Sequence, residues 1–291
     1  MGCHLSLMVL QMKIRNNIKK IKVTVGCLLG CFILSCQMNV AHRDFELAED
    51  LWLEKKYQKA TDVFISIYEK NPNNKTGIKA LLRAATTEAL FLNKHSSAID
   101  KLNIVIEKSN NDETKNYVYL KIGDILYLQL KDYKKTFNHY NKVINKLTGK
   151  EKETAYYRMG KSLFYLMNFS RAYGVFKKLV HEFPNKETSE KAYYEMGLTL
   201  FSLASELKEK HEKENIKVFN QAISSFKDFI KQYPKSKKIP EAYFGIASSY
   251  EELGNLPKAR DLFIKIKKEY PSRQVISIKL DRIQERMKSL N

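Results

Sequence analysis

Six histidines, His4, His42, His95, His139, His181 and His211, stand singly along the 291-residue chain. No two have the i, i+4 spacing around a glutamate that would hold a metal between imidazoles. No glycine-rich loop is present to cradle a phosphate, and no Gly-x-Ser-x-Gly turn to present a nucleophile. Adjacent carboxylates such as Glu251-Glu252 read as a solvated helix face rather than an acid/base pair. All four cysteines, Cys3, Cys27, Cys31 and Cys36, lie in the first 36 residues, so the remainder can form no internal disulfide and no cysteine-ligated metal site. No catalytic residue, cofactor or metal is expected. What the chain does must then be sought in the surfaces that its elements build.

The first 36 residues differ from the rest. Lys13, Arg15, Lys19, Lys20 and Lys22 form a basic lead with no acidic residue, followed by an apolar run from Val23 to Leu34. As a helix that run spans about 18 Å against ~30 Å of bilayer core, which makes it an export signal before a membrane span. Ile33-Leu34-Ser35-Cys36 resembles the lipobox of bacterial lipoproteins. The resemblance implies a signal peptide over 1–36, diacylation of Cys36 and a short tether over 37–41. An ordinary signal peptide that contains Cys36 is the plainer alternative. Met1-Gly2-Cys3-His4-Leu5-Ser6 also fits the N-myristoylation pattern, a shorter signal, and Met12 would begin a leader of more usual proportions.

Beyond the leader, one pattern recurs. In Ile239–Pro271, Tyr243, Ile246-Ala247, Tyr250, Ala259, Phe263 and Pro271 follow in the order of a tetratricopeptide (TPR) repeat. Small residues at the crossing let two antiparallel helices approach, aromatic residues fill the space around them, and proline stops the second helix. The second-helix position recurs at Ala60, Ala98, Thr136, Ala172, Ala222 and Ala259, a period of 36–38 residues broken once by 50. The expected fold is an all-α TPR solenoid over 42–291. It has about six repeats (42–74, 76–111, 114–148, 153–185, 188–235 and 240–271) and a capping helix over 272–290.

Three departures carry information. The third repeat has one extra residue between Gly123 and Tyr133, expected in its inter-helix turn. The long interval places an inserted, charged, helix-forming stretch within Leu203–Val218, a solvated overhang or a partner contact. Trp52, the only tryptophan, is expected to cover the exposed N-terminal end of the array.

Repeats four to six share a further phrase, Ala155-Tyr156-Tyr157, Ala192-Tyr193-Tyr194 and Ala242-Tyr243-Phe244, with Phe183-Pro184, Tyr233-Pro234 and Tyr270-Pro271 as endings. In this they resemble the TPRs of bacterial envelope proteins. The closest kinds are the TPR lipoprotein of the outer-membrane barrel-assembly machinery and periplasmic TPR coordinators of cell division. The chain has six repeats where the first kind has five, and lacks the coiled coil of the second. The resemblance implies an acylated, periplasm-facing scaffold, anchored in the outer membrane or at another envelope surface, that binds envelope proteins.

In a TPR array the first helices line the concave surface. Positions one step around from the packing residues select Arg83, Tyr117, Asp124, Tyr127, Tyr157, Lys161, Tyr165, Tyr194, Phe201 and Phe244 as a candidate groove for an extended peptide or a helix. The formal charge is +19, and 51 basic residues less the leader's five, against 32 acidic, leave about +14. Lysines are spread over every repeat, with no helix-turn-helix or RNA-binding signature to focus them, so no nucleic-acid partner is expected. The alternative reading is a cytoplasmic TPR adaptor that binds a polyanion or a regulatory protein.

Overall fold

A computed structural model describes residues 40–207 and 212–289. The leader with Cys36, the centre of the insertion with His211, and the last two residues lie outside the described set. The fold is all-α, of the TPR solenoid type, and the chain divides into two compact units, Met1–Lys115 and Asn116–Asn291.

In the first unit, α1 (residues 40–53), α2 (Tyr57–Lys70), α3 (Lys75–Phe91) and α4 (His95–Lys108) follow as antiparallel neighbours. Ala48, Ala60, Ala80 and Ala84 are fully buried and let Phe45, Phe64 and Ile67 close the space between α1, α2 and α3. The side chain of Asn74 caps α3 by accepting from the Gly77 N–H at 2.8 Å. Trp52 does not cover the N-terminal end. It packs edge-on against Tyr57 and Phe91, at 5.9 and 5.5 Å, while Tyr57 stacks on Phe91 at 4.2 Å. Lying at the end of α1, its ring is carried toward the next helix pair, where more aromatic surface is available to bury.

The second unit takes up α5 (Asp112–Asp124) from Asn116 onward. It continues through a π-turn (Ile125–Gln129), α6 (Tyr133–Val143), a short 3-10 turn (Ile144–Lys146), α7 (Gly149–Tyr165) and α8 (Phe169–Glu182). Then come α9 (Glu187–Leu207), α10 (Glu212–Gln232), α11 (Ile239–Glu252), α12 (Leu256–Ile266) and α13 (Arg273–Lys288). Within each pair the crossing is closed by a small residue under a ring. A Cβ on Gly160 would stand 2.5 Å from Phe176, and one on Gly197 2.5 Å from Phe226. Both rings are fully buried, each contributing about 1.5–3 kcal/mol of apolar burial.

The extra residue of the third pair does not lengthen the connection. It is absorbed inside the first helix, where the Leu130 N–H donates to Ile125 O at 2.9 Å, an i to i+5 bond. The insertion prolongs α9 and α10 to 21 residues each, against 17 for α7 and 14 for α8. The prolonged part is not purely solvated, since Ala204 and Val218 are buried with Leu200 and Phe219, and Leu203 and Leu207 pack against them.

Glu251 corrects the expectation of a solvated carboxylate pair. Its side chain is 1% exposed and receives Lys279 at 2.9 Å, Arg282 through both Nε (2.8 Å) and Nη2, and Arg286 at 3.7 Å. Basic residues of α13 thus clasp the helix over the sixth pair, while Ile276 and Ile283 sink fully into its core. Among the described residues no helix is long and apolar enough to cross a membrane.

Candidate functional site

The charged residues that line successive first helices obey a rule of position. In the first unit, Glu49 follows the crossing Ala48, and Arg83 precedes Ala85 by two. Arg83 donates from Nε to Glu49 Oε1 at 2.7 Å and from Nη2 to Oε2, with its guanidinium 4.9 Å over Trp52 and 5.7 Å over Phe64. In the second unit the same two positions hold Asp124 and Arg158, then Lys161 and Glu195. Arg158 reaches Asp124 through Nη2 and donates from Nη1 to the Tyr140 hydroxyl at 2.8 Å; Lys161 reaches Glu195 Oε1 at 2.9 Å. Each pair spans 34 residues, one helix pair to the next. Between the fifth and sixth pairs the same positions are Leu198 and Gly245, and the ladder stops.

These contacts gather several of the residues singled out from sequence. Tyr157 donates to Glu195 Oε1 at 3.4 Å. Tyr133 stacks on Tyr165 at 4.4 Å and meets Tyr127 edge-on at 5.8 Å, and the Lys161 ammonium lies 5.2 Å over the Tyr165 ring. Asp124, Tyr127, Tyr157, Lys161 and Tyr165 therefore form one patch on the second unit, held together by Arg158, Glu195 and Tyr133. Burial raises the Tyr127 hydroxyl well above the ordinary phenol range, reinforced by Tyr165, Tyr133 and the Glu195 carboxylate against Arg158. Burial first and Glu195 second do the same for Tyr157; burial, Glu241 and Glu195 do it for Tyr194. Tyr140 is pushed up to about 12 by burial, with Arg158 opposing. All four are hydrogen-bond donors across the physiological range. Glu195 is 8% exposed and its Oε2 is buried without a hydrogen-bond donor among the described residues.

The other selected residues lie elsewhere. Arg83 belongs to the first unit and is engaged by Glu49 and Trp52. Tyr117 is 45% exposed, with Lys121 5.0 Å over its ring. Tyr194 packs on Phe226 and Phe229, under Lys238 at 5.6 Å. Phe201 serves the seam of the prolonged helices, edge-on to Phe219 at 5.6 Å. Phe244 stacks on Tyr270 at 4.8 Å and lies beneath Lys279 of the cap. Arg158 and Glu195 were missed in the sequence, although opposite charges 34 residues apart would have pointed to them. Among the described residues, no three His, Cys, Asp or Glu side chains converge in a metal-binding group.

The model of the family described as YfiO, outer membrane lipoprotein, matches residues 111–275, more than half of the chain. The protein belongs to the YfiO family. The matched span holds the whole tyrosine patch and the Lys161–Glu195 pair. Similar solved structures include the C-terminal part of a TPR repeat-containing protein from Cytophaga hutchinsonii, at TM-score 0.55 and 19% identity, covering 77% of this chain and 78% of that one. YrrB, described as a TPR protein with an unusual peptide-binding site, aligns at TM-score 0.52 and 17% identity over 75% of this chain and 97% of its own. At such identities the likeness is one of fold, and it is the TPR fold. No curated protein matches the YfiO-family chain in sequence.

Proposed function

We propose that this protein is a non-catalytic scaffold of the bacterial cell envelope. In this reading it is diacylated on Cys36, held at the outer membrane facing the periplasm, and binds a partner protein as a peptide or helix across the Tyr127–Tyr157–Tyr165 face. Its service is to outer-membrane protein assembly or to envelope and cell-wall coordination. The observation that carries the reading is the YfiO match over 111–275, which contains every one of those tyrosines. The chemistry of the face supports it. Amphipathic rings give contact area at low conformational cost, and their hydroxyls remain donors.

The test joins anchor and partner in one experiment. Cells are labelled with an alkyne analogue of palmitate and fractionated, and a photo-crosslinking amino acid at position 165 captures neighbours from the membrane fraction. Label on the wild type, its loss in Cys36→Ala, and a crosslinked envelope protein are the expected results. An unlabelled protein in the cytosol, retained on nucleic acid in a salt-sensitive way, would instead establish the adaptor alternative.

A further inference from the structure

A second surface of the sixth helix pair has a different chemistry. On α11, Tyr243, Ile246 and Tyr250 form a stripe at i, i+3 and i+7, one step around the helix from the capped Phe244. Together they floor an open cleft of about 430 Å3, walled by Ile230 of α10 and Leu262 of α12. That volume lies within the range of about 300–1,000 Å3 that well-formed ligand sites occupy. The floor packs onto the core below it, with Ile246 2% exposed, while Ile230, Tyr243, Tyr250 and Leu262 stay half-buried.

The rim is cationic. Lys227 of α10 and Lys258 of α12 flank the opening, where Asp261 is the single acid. Lys258 lies 5.4 Å over the Tyr250 ring, and Lys265, two turns further along α12, lies 4.0 Å over the Tyr243 ring. The two ammonium groups are thus held over aromatic faces of the apolar floor. A lone lysine is ordinary on a chain of this charge. Two that line one apolar cleft, with a third over the ring of its Tyr243, against one carboxylate, specify an occupant that is apolar on one side and anionic beside it.

We infer that this cleft docks an acidic amphipathic helix of a partner protein, its leucine-like side chains on Tyr243, Ile246 and Tyr250 and its Asp or Glu residues against Lys227, Lys258 and Lys265. The form of the site favours a helix. α10 and α12 both pack on α11, so the cleft is a groove between two helices with a third as its floor, the arrangement in which an amphipathic helix seats i, i+3, i+4 and i+7 anchors. The site shares no residue with the tyrosine patch of the third to fifth pairs.

The experiment uses full-length protein in detergent and two fluorescein-labelled 18-residue peptides. Both carry leucine at i, i+3, i+4 and i+7 with alanine between; one has glutamate and the other lysine on the remaining face. The acidic probe should bind at least about tenfold more tightly than the basic one and weaken with salt. Lys227→Glu with Lys258→Glu, exposed positions that leave the core intact, should reverse the preference. Ile230→Ser should weaken the acidic probe severalfold, and Tyr165→Ala should leave it unchanged. Equal binding of the two probes, no binding of either, or indifference to the lysine exchange would overturn the inference. Loss of binding in Tyr165→Ala would move the probe to the tyrosine patch and overturn it too. Phosphatidylglycerol vesicles that bind through Lys227 and Lys258 while the acidic peptide does not would make the cleft a lipid contact instead.

Discussion

Lys161 and Glu195 meet at 2.9 Å across a helix-pair boundary, with side chains only 15% and 10% exposed, and their charges are the reverse of those of Asp124 and Arg158 one pair earlier. An ion pair so withdrawn from water costs more to break on one side than to delete whole. Glu195→Ala should therefore destabilise the protein by about 3 kcal/mol, and Lys161→Met combined with Glu195→Leu should recover most of that loss. A double-mutant cycle by urea unfolding measures both; equal costs for the single and double variants would refute the account.

Two glycines in neighbouring helices should respond oppositely to a side chain. At Gly160 a new Cβ would lie 2.5 Å from the Phe176 ring, so Gly160→Val should cost about 2–3 kcal/mol by overpacking. Gly174, inside α8, has nothing within 4 Å of the same position, so Gly174→Ala should stabilise by about 0.5–1 kcal/mol through helix propensity. Thermal unfolding of the two variants checks the contrast.

Glu251→Ala removes the acceptor of three cations in one step. α13 should loosen from the sixth pair, at a cost of about 3–5 kcal/mol for the buried carboxylate. Amide exchange over 273–288 should quicken while α7 and α8 keep their protection. Unchanged exchange in α13 would mean that Ile276 and Ile283 hold the helix without the clasp.

Acidity should act through His139, whose pKa burial lowers below the usual imidazole value, helped by Lys142 and opposed by its hydrogen bond to the Tyr119 carbonyl at 2.8 Å. The unfolded chain then takes up the proton more readily than the folded one. The contribution is fully present above the unfolded value near 6.5 and is lost as pH falls through it toward the folded value. Unfolding midpoints should drop over that window in the wild type and less in His139→Gln.

Much of the architecture was readable from residue types. Alanine or glycine at the first-helix crossings, an aromatic residue four positions beyond the second-helix small residue in every repeat but the second, and proline at four of the six endings all report backbone packing, and packing imposes a period. The binding face was harder to read. Phe201 and Phe244 occupy the selected register, yet a prolonged helix and the capping helix cover them, and neither neighbour follows from the repeat that carries the phenylalanine. Arg158 and Glu195 escaped because each was considered within its own repeat, whereas its partner stands in the preceding one. The additional residue near Tyr127 was visible as a count, but its absorption in a π-turn depended on how the following helix had to meet Gly123.

The reversal of charge between the Asp124–Arg158 and Lys161–Glu195 joints also restricts which modules can stand side by side. A protein from which the fourth helix pair had been excised in register would bring Asp124 against Glu195, two carboxylates where each had a cation. Duplicating the fourth pair would oppose Lys161 to a second copy of Arg158. These two joints are keyed like plugs of opposite polarity, so the modules they join resist the shuffling that a uniform series would tolerate.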